Sequence, residues 1–344
     1  MAYTEIDKPS DYFNTKLYTG NGSTQSISGI GFQPDWIWYK RRDATNHNRL
    51  IDSVRGSNKN LASDLTNAEN TESTYVTSFN SDGWSIGSNT DVNASSSSMV
   101  AWTWLASNTT ASNTDGSITS TVSANTTSGF SIVSYTGNGS AGATVGHGLG
   151  AVPKMLIVKR RNSTGGWVVY HEDVGNTKII ELHDTAASQT SSAAWNNTTP
   201  SSTTFTLGDY TSTNTSGGTY IAYCFAEKKG FSKFGKFTGN GSTDGTFVYT
   251  GFKPAFVLAK PTDITGNWPL FDNKLRPANN VGNNFMYADL SNAQDSSSDF
   301  DMLSNGFKTR TTSNLINGSG NSYIYMCFAS NPFVTSTGIP TTAR

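Results

Sequence analysis

Charged residues, long apolar runs and a signal sequence are all scarce or missing in this chain. Only 14% of its 344 residues are charged, and the formal net charge is -1. A nucleic-acid-binding protein usually has an excess of basic residues, so this balance argues against such a partner. No apolar run approaches the ~18 residues of a membrane-spanning helix. The opening stretch MAYTEIDKPSDYF lacks the basic flank and apolar core of a secretory signal. We therefore expect no membrane insertion and synthesis in a reducing cytoplasm.

Cysteine is nearly absent as well. Cys224 and Cys327 are the only two, too few for a disulfide framework. Both lie in short apolar runs, YIAYCFA and YIYMCFA, which occupy matching places in two copies of a repeat. Equivalent positions of separate domains are normally far apart, so we expect two free, buried cysteines that act as small apolar side chains.

The chain is rich in aromatic and small polar residues instead. Aromatic residues make up 12% of the sequence. Because each aromatic side chain can bury a large apolar area, we expect a packed structure despite the low charge.

An internal repeat is the strongest signal in the sequence. The hexapeptide YTGNGS occurs at residues 18–23 and 135–140, and returns as FTGNGS at residues 237–242. A proline lies 16, 18 and 17 residues after the first residue of each copy, and a lysine lies six residues beyond each proline: Lys40, Lys159 and Lys260. Each copy closes with an aromatic run that ends at Ala106, Ala226 or Ala329. Landmarks kept in register over this distance predict three homologous units.

The predicted organisation follows from these landmarks. It comprises an N-terminal docking segment (residues 1–15), the first repeat (16–106), a linker with an opening strand (107–128), the second repeat (129–228), the third repeat (229–330) and a C-terminal tail (331–344).

Short apolar runs between glycine and proline predict β-strands. WIWYK, MLIVK and FVLAK are rich in aromatic and β-branched residues, and no helical stripe runs through the chain. We expect an all-β fold of three tandem antiparallel β-sandwiches, jelly-roll-like, of about 90–100 residues each. Asn-Gly in the hexapeptide favours a tight hairpin turn of type I′, which assigns a structural role to Asn21, Gly22, Asn138, Gly139, Asn240 and Gly241. Residues 79–87 and 302–309 predict a second hairpin in repeats one and three, and the second repeat lacks the glycine there.

Two sets of residues are candidates for contact with a glycan or an anion. The basic triplets Lys40-Arg41-Arg42 and Lys159-Arg160-Arg161 recur at one place in the repeat, and arginine pairs well with anionic groups. A solvated strand end is the favoured explanation of the triplets, and Lys260-Pro261 at this place in the third repeat argues against a function shared by all copies. Trp167 and Trp268 follow the first core strand in loop-flanked stretches and could stack on a sugar, although aromatic residues on strands mostly belong to a core.

No motif predicts a catalytic centre, a cofactor or a metal. GHGLGAVP at residues 146–153 leads into a strand, whereas a dinucleotide loop leads into a helix. His171-Glu172-Asp173 and His183-Asp184 match no zinc or metalloprotease spacing. Carboxylates from separate strands leave glycoside hydrolysis open as a minority interpretation. We expect a non-enzymatic protein.

The repeat motifs resemble those of a known group of proteins. NTKLYTGNGSTQSISGIGFQPDWIWYKRR, SYTGNGSAGATVGHGLGAVPKMLIVKRR and the closing YIAYCFA resemble repeat domains of unknown function in structural proteins of tailed, especially marine, bacteriophages. The resemblance extends from about residue 14 to residue 330. It implies a virion component, made in the host cytoplasm, whose partners are other virion proteins.

Within that class we expect a tail fibre or tail-associated attachment protein that presents loops to a host-surface glycan or protein. A capsid decoration protein and a carbohydrate-binding or depolymerase protein are the alternatives. Fibres are often homotrimers, so a trimer is the expected oligomer, although no heptad pattern in the chain imposes one.

Overall fold

The computed structural model describes residues 3–275, 284–297 and 300–341. Strands account for 43% of the structure and helices for 3%, and the named strands pair in antiparallel sheets. The predicted all-β class is confirmed. The ends of the predicted docking segment and tail, at residues 1–2 and 342–344, and residues 276–283 and 298–299 of the third repeat lie outside the described residues.

The first repeat is a sandwich of a large and a small sheet. After a 3-10 turn at Pro9–Asp11, it contains β1 (Phe13–Thr19), β2 (Gln25–Ser28), β3 (Trp36–Arg41), β4 (Arg49–Asp52), β5 (Lys59–Ala62), β6 (Asn70–Thr71), β7 (Val76–Asn80), β8 (Gly83–Ile86), the helix α1 (Thr90–Asn93) and β9 (Ser98–Trp104). The sheets have the orders β1-β9-β3-β4-β5-β6 and β2-β8-β7. Because β1 pairs with β9 from Phe13 onward, residues 13–15 belong to this repeat and not to a separate docking segment.

The second repeat has the same layers with two additional strands at its start. It contains β10 (Ala111–Asn113), β11 (Ser120–Asn125), β12 (Phe130–Thr136), β13 (Ala143–Gly146), β14 (Met155–Arg160), β15 (Trp167–His171), β16 (Lys178–Glu181), β17 (Gln189–Thr190), β18 (Thr204–Leu207), α2 (Thr211–Asn214) and β19 (Thr219–Phe225). The large sheet has the order β10-β11-β12-β19-β14-β15-β16-β17, and β13 pairs with β18. The opening strand predicted within residues 107–128 is therefore present as β11.

The third repeat returns to the arrangement of the first. It contains β20 (Ser232–Thr238), β21 (Phe247–Tyr249), β22 (Phe252–Pro261), β23 (Pro269–Asp272), β24 (Phe285–Tyr287), β25 (Phe300–Leu303), β26 (Gly306–Thr309) and β27 (Ser322–Pro332). Its sheets have the orders β20-β27-β22-β23-β24 and β21-β26-β25. The predicted hairpins at residues 79–87 and 302–309 are confirmed as β7–β8 and β25–β26, each joined by a two-residue turn.

The hexapeptide is a crossover between sheets and not the hairpin turn that its Asn-Gly predicted. In the first repeat it leaves β1 of the large sheet and leads to β2 of the small sheet. Gly22, Gly139 and Gly241 have φ of +71°, +75° and +66°. The preceding asparagines do not share a positive φ, whereas a type I′ turn needs it at both positions.

A buried asparagine explains why the hexapeptide is repeated. The backbone N–H of Asn21 donates to Oδ1 of Asn93 at 2.9 Å, and Nδ2 of Asn93 donates back to Oδ1 of Asn21 at 3.1 Å and to the carbonyl of Gly87 at 2.7 Å. Asn214 and Asn317 hold the other two copies through the same backbone donor, and all three side chains are buried. Each loop is thus held by a buried side-chain amide in addition to backbone hydrogen bonds, such as that from the N–H of Gly22 to the carbonyl of Asn93 at 2.8 Å.

The three sandwiches share one central core. Successive side chains of β3 point to opposite faces of its sheet. Trp36 and Trp38 face the centre of the molecule, and Ile37 and Tyr39 face the small sheet of their own repeat. The central cluster draws on all three repeats, and each repeat also has a cluster of its own. Because both faces of the large sheets are buried, their strands read as continuous apolar runs.

Ring contacts close the central core around an axis. Trp36 of the first repeat stacks on Tyr223 of the second with ring centroids 4.3 Å apart. Phe225 of the second repeat meets Phe328 of the third at 6.1 Å, and Phe328 meets Phe13 of the first at 5.1 Å. Each repeat therefore packs against both others. The repeats form a closed ring and not a string of independent domains.

The N-terminal segment and the tail pack at one end of this ring. Ile6 is part of the central core, and the backbone N–H of Glu5 donates to the carbonyl of Lys229 at 3.0 Å. The carboxylate of Asp7 accepts hydrogen bonds from the backbone and side chain of Ser336. The hexapeptide loops lie at the other end of the large-sheet strands. Among the described residues, neither helix is long and apolar enough to cross a membrane.

Unfolding is expected to be a single cooperative transition, because the central core cannot stay buried when one repeat leaves it. Differential scanning calorimetry of the chain should give one peak whose calorimetric and van't Hoff enthalpies agree. A fragment of residues 107–228 should fail to fold alone, since it would expose its share of the core. Three separate peaks, or a folded fragment, would contradict the shared core.

Candidate functional site

The three interfaces of the ring are built from the same backbone contacts. Six residues after each repeat lysine, an N–H donates to a carbonyl of a neighbouring repeat: Asn46 to Ser291, Gly165 to Thr66 and Gly266 to Thr185, at 2.7, 2.9 and 2.8 Å. In the opposite direction, the N–H groups of Gln294, Glu69 and Ser188 donate to the carbonyls of Arg42, Arg161 and Thr262 at 2.9, 2.8 and 2.9 Å. The same pair of contacts joins repeats one and three, two and one, and three and two.

The repeat lysines are part of these interfaces. Nζ of Lys40 donates to the carbonyl of Leu290 in the third repeat at 2.9 Å. Nζ of Lys159 donates to the carbonyl of Thr66 in the first repeat at 3.3 Å. Nζ of Lys260 donates to the carbonyl of Thr185 in the second repeat at 2.9 Å. All three side chains are fully buried, and burial lowers the pKa of each to about 8.

The two candidate tryptophans occupy a second interface position, eight residues after the lysine. Nε1 of Trp167 donates to the carbonyl of Ala62 at 2.8 Å, and Nε1 of Trp268 donates to the carbonyl of Glu181 at 3.0 Å. Asn48 holds the equivalent place in the first repeat and donates to the carbonyl of Leu290 at 3.0 Å. Each of these side chains therefore donates a hydrogen bond to a backbone carbonyl of a neighbouring repeat.

These contacts correct the predicted glycan or anion site at four of its residues. Lys40, Lys159 and Trp167 are 0% exposed and Trp268 is 1% exposed, so a surface ligand does not reach them. Their residue types recur because each interface needs buried donors for the neighbour's carbonyl groups.

The arginines of the basic triplets are divided between interface and surface. Arg161 forms a two-contact pair with Glu69 of the first repeat at 3.0 Å, and Nε of Arg42 donates to Gln294 of the third at 2.8 Å. Nε of Arg41 donates to Asp43 at 2.7 Å, and Nε of Arg160 donates to Asn162 at 3.2 Å. Arg41 and Arg160 thus bond within their own repeat, whereas Arg42 and Arg161 reach a neighbouring repeat, and the triplets do not form one basic surface.

The polar histidine stretch of the second repeat also serves packing. His171 is buried, its Nδ1 accepts from the backbone of Asp173 at 3.2 Å, and its Nε2 faces the carbonyl of Tyr325 in the third repeat at 3.2 Å. Asp52 and Asp272 lie as many residues after Lys40 and Lys260 in the sequence as His171 lies after Lys159. Asp52 accepts from the hydroxyl of Tyr223 at 2.8 Å, and Asp272 from Nε1 of Trp102 at 2.9 Å. Within the described part of the chain, no group of three His, Cys, Asp or Glu side chains is placed to hold a metal ion.

The cysteines are free and buried, as predicted. Cys224 belongs to the second repeat's own core and Cys327 to that of the third. Burial raises the pKa of Cys224 to about 12, so this thiol is not a nucleophile at neutral pH.

Two open clefts border the third repeat. The larger, of about 640 Å³, lies between the second and third repeats and is crossed by an ion pair of Lys236 and Asp173 at 3.4 Å. The smaller, of about 360 Å³, lies where the N-terminal segment meets the third repeat. Its lining includes Tyr3, Tyr249 and Phe333, which are 62%, 59% and 37% exposed. We take this aromatic cleft as the candidate functional site, because exposed aromatic groups in a concavity mark binding sites.

Sequence reasoning missed the aromatic cleft for a physical reason. All eight tryptophans are buried, and the exposed aromatic residues are tyrosine and phenylalanine on a three-residue edge strand and in the terminal segments. The one available signal was the alternation in FVY at residues 247–249, where aromatic residues flank a valine after the third hexapeptide.

Comparison with known protein families gives one match. The sequence model of a family described as a domain of unknown function (DUF7483) matches residues 8–332. The chain belongs to this family. Searches of the curated proteins and of the solved structures found no match. One DUF7483 match spans all three repeats, in agreement with a ring that is a single structural unit.

The interface lysines are expected to contribute to stability. The substitution Lys260→Met keeps the length of the side chain but leaves the carbonyl of Gly266 without this donor. It also removes one of the two donors to the carbonyl of Thr185, which keeps the N–H of Gly266. Unpaired buried carbonyls cost about 1–3 kcal/mol, so urea unfolding should show a loss of that size. The matched control is Lys253→Met on the same strand, where the side chain is exposed, and its stability should stay within about 0.5 kcal/mol of wild type. Equal losses in both variants would contradict the interface role.

Acid should destabilise the ring through His171. Burial lowers the pKa of this imidazole from 6.5 to about 4. Between those pH values the unfolded chain binds a proton that the folded chain does not, so stability falls as pH falls through this window. The full effect is about 3 kcal/mol, at 1.36 kcal/mol per pKa unit. Urea unfolding at pH 7 and pH 4 should show that wild type loses this amount more than His171→Gln does, and parallel losses would contradict it.

Proposed function

We propose that this chain is a structural protein of a bacteriophage virion and serves as a tail-associated attachment protein. The proposal starts from the resemblance of the repeat motifs to phage structural proteins. The observation that supports it most is the closed ring, in which three sandwiches are tied by the same buried contacts. Such a ring is a rigid support for surface loops, and attachment needs rigidity because ordering mobile groups on binding costs free energy.

The mechanism of this function is geometric. Each repeat exposes its hexapeptide loop and the neighbouring turns, while the buried asparagines fix the loop backbone. Repeated presentation on a particle converts weak single contacts into firm attachment. Other virion proteins and a host-surface glycan or protein are the proposed partners.

The N-terminal segment receives no docking role in this proposal. Residues 4–15 form contacts within the ring: Ile6 lies in the central core and Phe13 begins β1. Their deletion would damage the fold, so loss of incorporation after deletion would not demonstrate docking.

Localisation on the particle tests the proposed function. Mass spectrometry of gradient-purified particles of the virus that encodes the chain should detect it. Immunogold microscopy with antibodies against the folded protein should place it at the tail, and the same antibodies should reduce adsorption to host cells. Label over the whole capsid with unchanged adsorption would favour a decoration protein. Absence of the chain from purified particles would overturn the proposal.

A further inference from the structure

The outward face of one strand differs between the three repeats. Ile27, Val145 and Val248 occupy equivalent places, because each pairs with the central aromatic residue of the facing strand: Trp84, Phe205 or Phe307. Their neighbours on either side point to the other face of the strand. These neighbours are Ser26 and Ser28 in the first repeat, Thr144 and Gly146 in the second, and Phe247 and Tyr249 in the third.

The sandwich does not need aromatic residues at these positions. The first two repeats fold with small residues there, and in the third repeat both side chains lie largely outside the core, with Phe247 44% exposed and Tyr249 59% exposed. Because the first two repeats fold without aromatic residues at these positions, the third repeat does not need them for folding. Exposed aromatic side chains leave apolar area in water, which costs free energy that packing does not return.

The open side of this strand keeps the aromatic residues accessible. In the second repeat, Ile118 bridges to Val145 along the corresponding edge, and Ser117 bonds to Thr144. In the third repeat, β21 is the edge strand of its sheet. Tyr249 also pairs with Gly306, so no cross-strand side chain covers its ring.

Two further rings extend the aromatic surface into a cleft. Tyr3 and Phe333 line the cleft of about 360 Å³ together with Tyr249. This volume lies in the range of small-ligand sites. A protein partner would instead need an interface of about 1,200 Å² or more, so a ligand of one or two rings fits the dimensions better.

Three charged side chains line the cleft: Glu227, Lys229 and Lys233. Glu227 and Lys233 form an ion pair at 3.4 Å, and Ser232 adds a hydroxyl group. The hydroxyl of Thr250, also on the lining, donates to the carbonyl of Phe252 at 2.7 Å. The carboxylate of Glu227 also accepts from the backbone N–H of Phe234 at 3.2 Å. Because Lys233 is paired with Glu227 and the lining has both donors and acceptors, the cleft suits a ligand rich in hydroxyl groups better than a polyanion. Flat aromatic faces attract the polarised C–H groups of a sugar ring.

We propose that the aromatic cleft of Tyr3, Tyr249 and Phe333, continued by Phe247, binds a neutral oligosaccharide. Sugar rings stack on the aromatic faces, and their hydroxyl groups bond to the Glu227–Lys233 pair. This inference goes beyond the hexapeptide loops, because the cleft lies at the end of the ring where the N-terminal segment packs. It rests on the attachment role for its biological use, whereas sugar binding itself is a property of the purified protein.

Affinity electrophoresis of the full chain tests the proposal. The probes are gels that contain dextran, galactomannan or xylan as neutral polysaccharides, alginate as an acidic one, and gelatin as a protein. Wild type should be retarded in at least one neutral gel. Tyr249→Ser, which restores the residue type of the first repeat at this place, and Phe333→Ser should each weaken that retardation about tenfold.

The controls separate loss of binding from loss of fold. Val152→Ser removes an apolar side chain that is 41% exposed on the second repeat, and its retardation should equal that of wild type. All variants should melt within about 2 °C of wild type, because the changed side chains are exposed. No retardation in any neutral gel, retardation only with alginate or gelatin, or equal retardation of Tyr249→Ser and wild type would overturn the proposal.

The two proposals fail in different ways. A chain found at the tail that shows no retardation in neutral gels would retain the attachment role and lose the sugar site. A chain that binds a neutral polysaccharide and is missing from particles would retain the sugar site and lose the virion role.

Discussion

Burial of one aromatic core between three large sheets is the interaction on which the rest of this structure depends. Trp36, Tyr223, Phe225 and Phe328 meet across the repeat boundaries at ring distances of 4.3 to 6.1 Å. A sandwich of about 100 residues buries a modest share of its surface alone. Here each large sheet buries its second face against the other two repeats. The low charge of the chain and its many aromatic residues are consequences of this double burial.

The buried lysines show how a polar group can take part in such a core. Each ammonium group reaches a neighbour's carbonyl groups and so exchanges water for fixed acceptors. Burial still lowers the pKa of each lysine to about 8, since the charged form loses solvation. The lysines therefore stabilise the ring mainly through the hydrogen bonds that they donate. A lysine ammonium satisfies buried carbonyl groups, which an apolar residue cannot do.

The sequence predicted the strands and the repeat well, because these depend on local pattern. β3, β14 and β22 lie where the apolar runs after the prolines placed them, and the hairpins at residues 79–87 and 302–309 depend on glycines next to two-residue turns. The hexapeptide was a harder case. Asn-Gly favours a hairpin in isolation, but the distant Asn93 holds the loop open as a crossover between sheets.

The residues of the candidate site were predicted less well because exposure is not a local property. Trp167 and Trp268 stand in loop-like sequence, and their indoles enter a neighbouring repeat only when the ring closes. Tyr249 stands in a strand-like run, and its exposure follows from its place on an open edge. The strand register of the three repeats, which the sequence landmarks do not specify, makes Tyr249 equivalent to Ser28 and Gly146.

The joining of the three repeats into one polypeptide has an evolutionary consequence. In an assembly of identical subunits, any substitution appears at every symmetry-related place. An exposed aromatic residue would therefore be present on every subunit. Covalent linkage removes that constraint: Phe247 and Tyr249 occur once, where the sister positions keep serine, threonine and glycine. The contacts that close the ring are nearly the same in all three repeats, whereas the exposed face of each small sheet can carry different residues.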